Sequence, residues 1–508
     1  MSIPGLNINL ESEIPVYRQI AEGVRAALAA GHLSPGLRLP PTRDLARQLG
    51  VNRNTVVAAY ELLATEGVVH SHTGRGTFLA ESASGESLPG APAPGDDDWL
   101  TAFSSAVQGP SLERLLSAYR LAISSEGISF ASSQPANDLA PVKEFSSAMA
   151  SVLAEMGASV LTYGPMAGSP RLRETIAAGM RCGGSRVTAG NVLITNGSQQ
   201  ALELVFRTLL DRDNAVVLED PTFTGALSAL GSLGARTVGV PLDDEGMRPD
   251  LLALALERHR PRVIYVQPTF QNPTTRVMSL ARRREILALA TRYGCAVVED
   301  DWAGELRYEG DPIPTLHALD GGRRVLYVST FSKKLMPGLR VGWVVAPERV
   351  RDRLVALKQV EDCGTSPLLQ EALQRFLEKG GLERHLRRVR PAYVERRDRL
   401  QNALDRHFPD GVHWTRPTGG LFIWVTLPGE VDSNELFLAA RQRGVLFSRG
   451  ELFHVGGSGR DTLRLGFGGV DPERIPEGIA VLGELIRERL SEGPSVAVDS
   501  RAEAMPIF

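Results

Sequence analysis

Residues 327–343, YVSTFSKKLMPGLRVGW, place Lys333 in a Ser/Thr-rich turn after a strand, with Arg340 seven residues later. A primary amine there can form a Schiff base with an aldehyde cofactor, since partial burial and a nearby cation lower a lysine pKa and leave a nucleophilic amine. Thr330, Ser332 and Arg340 would then grip a phosphate, the guanidinium offering a planar fork that suits a dianion. A second stretch, TNGSQQALELV at 195–205, follows a strand and opens a helix. The backbone N–H groups near Gly197, Ser198 and Gln199 can therefore hold a phosphate at the positive end of the helix dipole. CAVVEDDW ends a strand on Glu299, Asp300 and Asp301, and one of these carboxylates can pair with a pyridine nitrogen and keep it protonated. Each stretch alone is ordinary: a solvated lysine, a capped helix, an acidic strand end. Together they converge on one site.

Such a site needs strands to deliver its turns. The β-branched runs NVLITNG, NAVVLED, RVIYVQP, CAVVEDD and RVLYVSTFS alternate with helical patterns such as SQQALELVFRTLL and ARRREILALATRY. That alternation predicts a mostly parallel sheet covered on both faces, with ligands beyond the carboxyl ends of its strands. The chain of 508 residues is long enough for several folding units, and 43% hydrophobic with 23% charged residues excludes a mostly disordered or fibrous protein. A net charge of −3 gives no whole-chain attraction to nucleic acid or acidic lipid, so any such attraction must be local. Three widely spaced cysteines signal neither a disulfide framework nor a metal site and fit a reducing cytoplasm. With no secretory start and no run of about 18 apolar residues, neither export nor membrane anchoring is expected. Residues 81–98, ESASGESLPGAPAPGDDD, have almost nothing to bury and read as a linker.

Ahead of that linker, Val16, Ile20, Val24, Ala27 and Leu28 fall at helical spacing, with Gly31 as a stop. Thr42 is expected to cap a helix over 42–49 ended by Gly50, and Asn52 one over 52–66 ended by Gly67. The short GVN connection makes a helix-turn-helix, and GVVHSHTGRGTFLA reads as two strands around a Gly-rich turn, a wing. Between Pro15 and Phe78 there are seven arginines and four acids, a modest local excess of positive charge. Arg53, Asn54 and Thr55 open the second helix of the pair, where side chains and backbone N–H groups reach base edges and phosphates. Arg43, His72, Thr73 and Arg75 could hold the flanking DNA backbone. A three-helix protein-interaction module has the same composition. The segments LSPGLRLPPTRDLA and VNRNTVVAAY, with GRGTFLA after them, resemble the winged helix of the GntR family of bacterial regulators.

From about residue 128 to 488 the chain resembles the fold type I aminotransferases with a kynurenine or aminoadipate aminotransferase-like core, above all in SKKLMPGLRVG. The resemblance implies pyridoxal 5′-phosphate as cofactor, with Lys333 carrying it and Asp300 pairing with the pyridine nitrogen. It also implies that Asn272, in PTFQNPTT, bonds the ring hydroxyl and that Phe223, in EDPTFTG, lies on the ring face. Tyr163, in LTYGPMAG, would reach the phosphate of a partner subunit, and Arg464, in TLRLGFG, would clamp an amino-acid carboxylate. Two positions depart from the pattern: Trp302 stands where the family usually has a tyrosine whose phenol bonds the cofactor, leaving only an indole N–H to donate, and Phe223 stands where tyrosine is frequent.

A GntR-like winged helix joined to an aminotransferase-like domain is the architecture of the MocR subfamily, which the chain resembles over nearly its full length. The fold expected is multidomain. An N-terminal α+β winged helix-turn-helix over 1–80 is followed by a linker over 81–125 and an α/β pyridoxal-phosphate-dependent transferase of fold type I over 126–490. Its large part spans about 160–370 and a small α+β C-terminal part about 371–490; 491–508 form a flexible tail. The resemblance implies a cytoplasmic regulator that binds double-stranded operator DNA as a head-to-tail homodimer. An amino compound reacting at the cofactor, or pyridoxal phosphate itself, would be the effector; neither metal nor membrane is involved. The alternative is an aminotransferase acting on an amino acid, with the winged helix as passenger or feedback device.

Overall fold

The computed structural model describes residues 15–29, 39–65, 68–72, 76–79 and 127–492, with isolated positions 8, 33, 37 and 103. They divide into two compact units, 1–100 and 101–508.

In the first unit, helices α1 (Val16–Ala29), α2 (Thr42–Leu49) and α3 (Arg53–Thr65) precede an antiparallel hairpin of β1 (Val69–His72) and β2 (Gly76–Leu79). Ile20, Val24 and Ala27 of α1 and Val56, Ala59, Tyr60 and Leu63 of α3 share one small core with Leu45. The Tyr60 hydroxyl is tied to the Pro40 carbonyl at 2.8 Å, and burial raises its pKa. Gly50 ends α2 in the left-handed region at φ 70° and returns its N–H to the Ala46 carbonyl, the conformation that favours glycine. Asn52 accepts the Asn54 N–H at 2.9 Å, as a capping residue does. Thr42 does not cap α2. Pro41 occupies the cap position and Thr42 is the first helical residue, since the preceding proline already sets an extended entry to the helix. The wing turn Thr73–Arg75, the side chain of His72, and the stops Gly31 and Gly67 lie outside the described residues.

Among the described residues the first element of the second unit is a short strand, β3 (Ile128–Ser129), and the unit is built on an eight-stranded sheet. Its strands are β4 (Val192–Thr195), β5 (Ala215–Asp220), β6 (Arg236–Asp243), β7 (Gly246–Met247), β8 (Val263–Val266), β9 (Ala296–Asp301), β10 (Val325–Thr330) and β11 (Gly342–Val345). The spatial order is β4-β11-β10-β9-β8-β5-β6-β7, with β10 through β6 parallel and β11 and β7 antiparallel to their neighbours. Successive side chains alternate between faces. Val216 and Leu218 meet the helices Ser198–Leu209 and Thr224–Ser232, while Val217 and Ile264 meet Pro249–His259 and Leu280–Tyr293. Both faces are thus dry, which is why these strands read as continuous apolar runs rather than as alternations.

The remaining elements form a smaller antiparallel sheet in the order β12 (His413–Trp414), β13 (Phe422–Thr426), β16 (Thr462–Gly466), β15 (Ser448–Arg449). Helices Gly381–His407 and Ile475–Glu492 complete its core. The small part also takes in residues from far ahead of it, and its expected borders shift at both ends. β3 pairs with β14 (Val445–Leu446), so Ile128 and Phe130, from the start of the unit, bury themselves in the small part's core. At the other border Ala372, Leu373 and Phe376 pack on the large sheet, so the small part begins at Gly381 rather than near 371. The last helix runs to Glu492, two residues into the segment expected to be a tail. Among the described residues no helix is long and apolar enough to cross a membrane.

Candidate functional site

Lys333 sits in the turn after β10, half-buried, and no hydrogen bond or ion pair reaches its amine among the described residues. Burial first, then the cations of Arg464 and Arg340, lower its pKa from 10.5 to about 8. At pH 7 that leaves roughly a tenth of the Lys333 amines neutral, against fewer than about one in a thousand at the ordinary value. Labelling of Lys333 by an amine-reactive reagent, followed by peptide mass spectrometry, should therefore rise through a midpoint near pH 8. A midpoint at the ordinary lysine value would show a fully solvated amine.

The pleat of β9 decides which of its three acids belongs to the site. Glu299 turns away to accept the backbone N–H groups of Leu316 and His317, and Asp301 accepts the Tyr327 hydroxyl and the Gly304 N–H. Asp300 faces the other way. Its Oδ2 accepts the Tyr265 hydroxyl and Gln267 Nε2, each at 2.8 Å, while Oδ1 is buried with no partner. Burial raises the Asp300 pKa to about 6, against the lowering by those two donors, so the carboxylate is still mostly ionised at pH 7. A buried carboxylate oxygen without a donor costs about 1–3 kcal/mol, and a pyridinium N–H would complete it. Tyr265 and Gln267 were not singled out from sequence. Their signal was position: Gln267 is the first residue beyond β8, in RVIYVQP, and Tyr265 lies two before it on the same side.

Gln267 also accepts the Asn272 N–H at 3.0 Å, fixing the turn that carries this asparagine. Asn272 Oδ1 accepts Arg464 Nη1 at 2.8 Å, which leaves the Asn272 amide N–H groups for a ring hydroxyl. Arg464, on β16, lies between the rings of Phe422 and Phe453, 4.9 and 4.8 Å from their centroids. Its Nη2 reaches the Ala131 carbonyl and Ser448 Oγ, its Nε has no partner, and burial lowers its pKa to about 10.

The phosphate end is built from three turns. Gly197, at φ +91°, precedes the helix Ser198–Leu209, and a Cβ there would come within 2.7 Å of Arg340 Nη2. Arg340 Nη2 itself donates to the Asn196 carbonyl at 3.1 Å. Gly197 thus lets the Arg340 guanidinium close on the helix start that carries the Ser198 and Gln199 N–H groups, a cradle that a side chain at 197 would break. The Gln199 side chain donates to the Gly225 carbonyl, and a Cβ at Gly225 would strike the Phe223 ring, so Phe223 and the cradle are mutually fixed. Thr330 has a different part from the one expected. Its Oγ1 lies within hydrogen-bond reach of Ser332 Oγ and the Val341 carbonyl and accepts the Ser332 N–H. That hydroxyl closes the turn that carries Ser332 and Lys333.

Trp302 also differs from expectation. Its indole N–H donates to the Phe270 carbonyl at 3.0 Å, and its ring stacks on Phe422 at 5.3 Å. It supports the wall of the site and has no donor left for a cofactor. Tyr163 is 85% exposed in the single chain, and Leu161, two residues before it, is 68% exposed. In the first unit Arg43, Arg53 and Asn54 are exposed and Thr55 is half-buried; Arg53 Nε lies 3.5 Å from Thr42 Oγ1. His72, Thr73 and Arg75 cannot be placed beside them, being outside the described side chains. Among the described residues no group of three or more His, Cys, Asp or Glu could hold a metal ion. The partnerless amine, the unpaired Asp300 oxygen and the glycine-lined cradle fit pyridoxal 5′-phosphate.

Residues 125–482 match the family of class I and II aminotransferases, and residues 16–79 that of bacterial regulatory proteins of the gntR family. The chain is 32% identical over 515 residues to the probable rhizopine catabolism regulatory protein MocR of Rhizobium meliloti, covering 99% of each. It is 36% identical over 404 residues to aromatic-amino-acid aminotransferase 1 of Thermococcus litoralis, which spans 78% of this chain and 96% of that protein. A similar solved structure is the α-aminoadipate aminotransferase LysN from Thermus thermophilus, complexed with N-(5′-phosphopyridoxyl)-L-leucine. It has a TM-score of 0.72 and 37% identity, over 78% of this chain and 99% of that one.

Proposed function

The chain belongs to the MocR-type regulators, in which a GntR-family winged helix is continued by a class I and II aminotransferase domain, and on that premise we propose a transcriptional regulator that uses pyridoxal 5′-phosphate to sense an amino compound. The observation that carries this reading is the buried Oδ1 of Asp300, which has no partner at the end of β9, the strand paired in parallel with the β10 whose following turn carries the partnerless Lys333 amine. When bound, the cofactor supplies an aldehyde that condenses with amines and a ring that withdraws electrons.

The protein's own residues supply the rest. Lys333 offers a neutral amine near physiological pH. Asp300, held by Tyr265 and Gln267, keeps a proton on the ring nitrogen, and Asn272 orients the ring hydroxyl. Ser198, Gln199, Ser332 and Arg340 hold the phosphate, and Phe223 covers the ring face. Arg464 holds the carboxylate of an effector amino acid, its guanidinium kept out of water by Phe422 and Phe453. Tyr163 serves a second copy of the chain, so the working form is a homodimer. The winged helix grips operator DNA through Arg53, Asn54 and Thr55 with Arg43 on the backbone. Effector binding switches the DNA only through a difference in affinity for two arrangements of the dimer.

A spectral titration with amines and amino acids, with and without DNA from upstream of the protein's own gene, tests this reading. Expected are a visible band with pyridoxal phosphate and an operator gel shift that the effector alters. No band with added cofactor removes the sensing reading. The filled catalytic positions also favour amino-group transfer as a second reading, in which the winged helix is a passenger. Transfer at ordinary enzyme rates, roughly 1 per second or faster, without any operator shift would select it. Loss of the Tyr phenol at Trp302 argues for slower turnover.

For the DNA head, Arg53→Ala should weaken operator binding about tenfold, and Arg43→Ala should reduce the salt slope by about one. Gel shifts at several salt concentrations unchanged in both variants would mean that another surface meets the DNA.

A further inference from the structure

Lys358 and Asp362 lie on the helix Glu348–Asp362, outside the groups described so far. The Lys358 side chain is fully buried and that of Asp362 is 19% exposed; Lys358 Nζ donates to Asp362 Oδ2 at 2.6 Å. The same oxygen accepts Asn196 Nδ2 at 2.6 Å and Gln200 Nε2 at 2.5 Å. Gln200 Oε1 in turn accepts Lys358 Nζ at 3.0 Å and the Asn196 backbone N–H at 2.8 Å. Asn196 is therefore held at its backbone N–H and at its side chain, while its carbonyl accepts Arg340 Nη2. Asn196 immediately precedes Gly197, whose conformation opens the cradle.

From this arrangement we infer that Lys358 and Asp362 are positioning residues for the cofactor phosphate. The buried pair fixes the peptide before Gly197, so that the helix N-terminus and Arg340 face one point. A buried ion pair adds little net stability, because desolvation offsets the attraction. Its use here is geometric. It holds Gln200 and Asn196 in one hydrogen-bonding arrangement, where water would allow several. This inference rests on the reading that the site takes pyridoxal phosphate.

The test compares the full-length wild type, Lys358→Met and the double variant Lys358→Met/Asp362→Leu. Each is titrated with pyridoxal 5′-phosphate and with pyridoxal, which has the aldehyde and no phosphate. Both aldehydes use Lys333, so the ratio of their dissociation constants isolates the phosphate contact. Both variants should lose about 10- to 100-fold in affinity for the phosphate form, with pyridoxal changed less than about threefold. The double variant replaces the pair by apolar side chains and leaves no buried charge alone, so it keeps the fold. An unchanged ratio in the double variant, or equal loss for both aldehydes, overturns the inference. A wild type without preference for the phosphate form overturns the underlying cofactor reading instead.

Discussion

Lys333→Ala abolishes the visible band that pyridoxal 5′-phosphate develops with the wild-type chain and lowers its affinity at least about 100-fold, roughly 3 kcal/mol. The cradle and Asp300 remain, so weak non-covalent binding persists. Loss of folding is not the cause, and the charges show why. The folded pKa of Lys333 is depressed from 10.5 to about 8, so the native state resists protonating this amine. Below pH 8 the wild type carries that cost in full, and its stability rises as pH climbs from about 8 towards 10.5, where only the unfolded chain stays protonated. Alanine has no amine to crowd against Arg464 and Arg340. The variant without cofactor should therefore unfold at no lower temperature than the wild type at pH 7, by calorimetry. A retained band would show that another amine takes the aldehyde.

Arg464→Met removes the response to amino acids while sparing cofactor binding. Methionine fills a similar slot between Phe422 and Phe453, so the walls stay apart. The carboxylate loses a buried, charge-assisted partner, which is worth about 2–5 kcal/mol, or upwards of about 30-fold in effector affinity. Amines without a carboxylate should respond almost as before, and equal loss for both classes would place the carboxylate elsewhere. A second readout is independent of any effector. Arg464 is one of the two cations that hold the Lys333 pKa down, so the labelling midpoint of Lys333 moves upward in this variant. An unmoved midpoint would mean that burial and Arg340 set it without Arg464.

Much of the site was legible because it depends on local geometry. The turn after β10 carries Lys333 and Arg340 at a spacing set within a dozen residues, and a helix opening after Gly197 offers its N–H groups whatever lies beyond. The strand pattern likewise follows from burial of both sheet faces. Elsewhere the answer lay far along the chain. Trp302 donates to a carbonyl 32 residues away, and Arg464 is matched to Asn272 across 192. The Thr330 hydroxyl, two residues before Ser332, is engaged within its own turn, an arrangement that residue type alone does not distinguish from a hydroxyl aimed at a ligand.

The amino-acid sequence by itself determined the two-unit plan, the strand-and-helix alternation and the residue types at the site, since periodicity, turn chemistry and helix ends are properties of neighbours. Only the tertiary structure decided which of three acids keeps a buried oxygen without a donor, that the Lys333 amine stands without a partner, and that Lys358 and Asp362 hold Gln200 and Asn196 just ahead of Gly197. Those outcomes depend on burial and on donors brought together from distant segments, and both exist only once the sheet and its covering helices have closed.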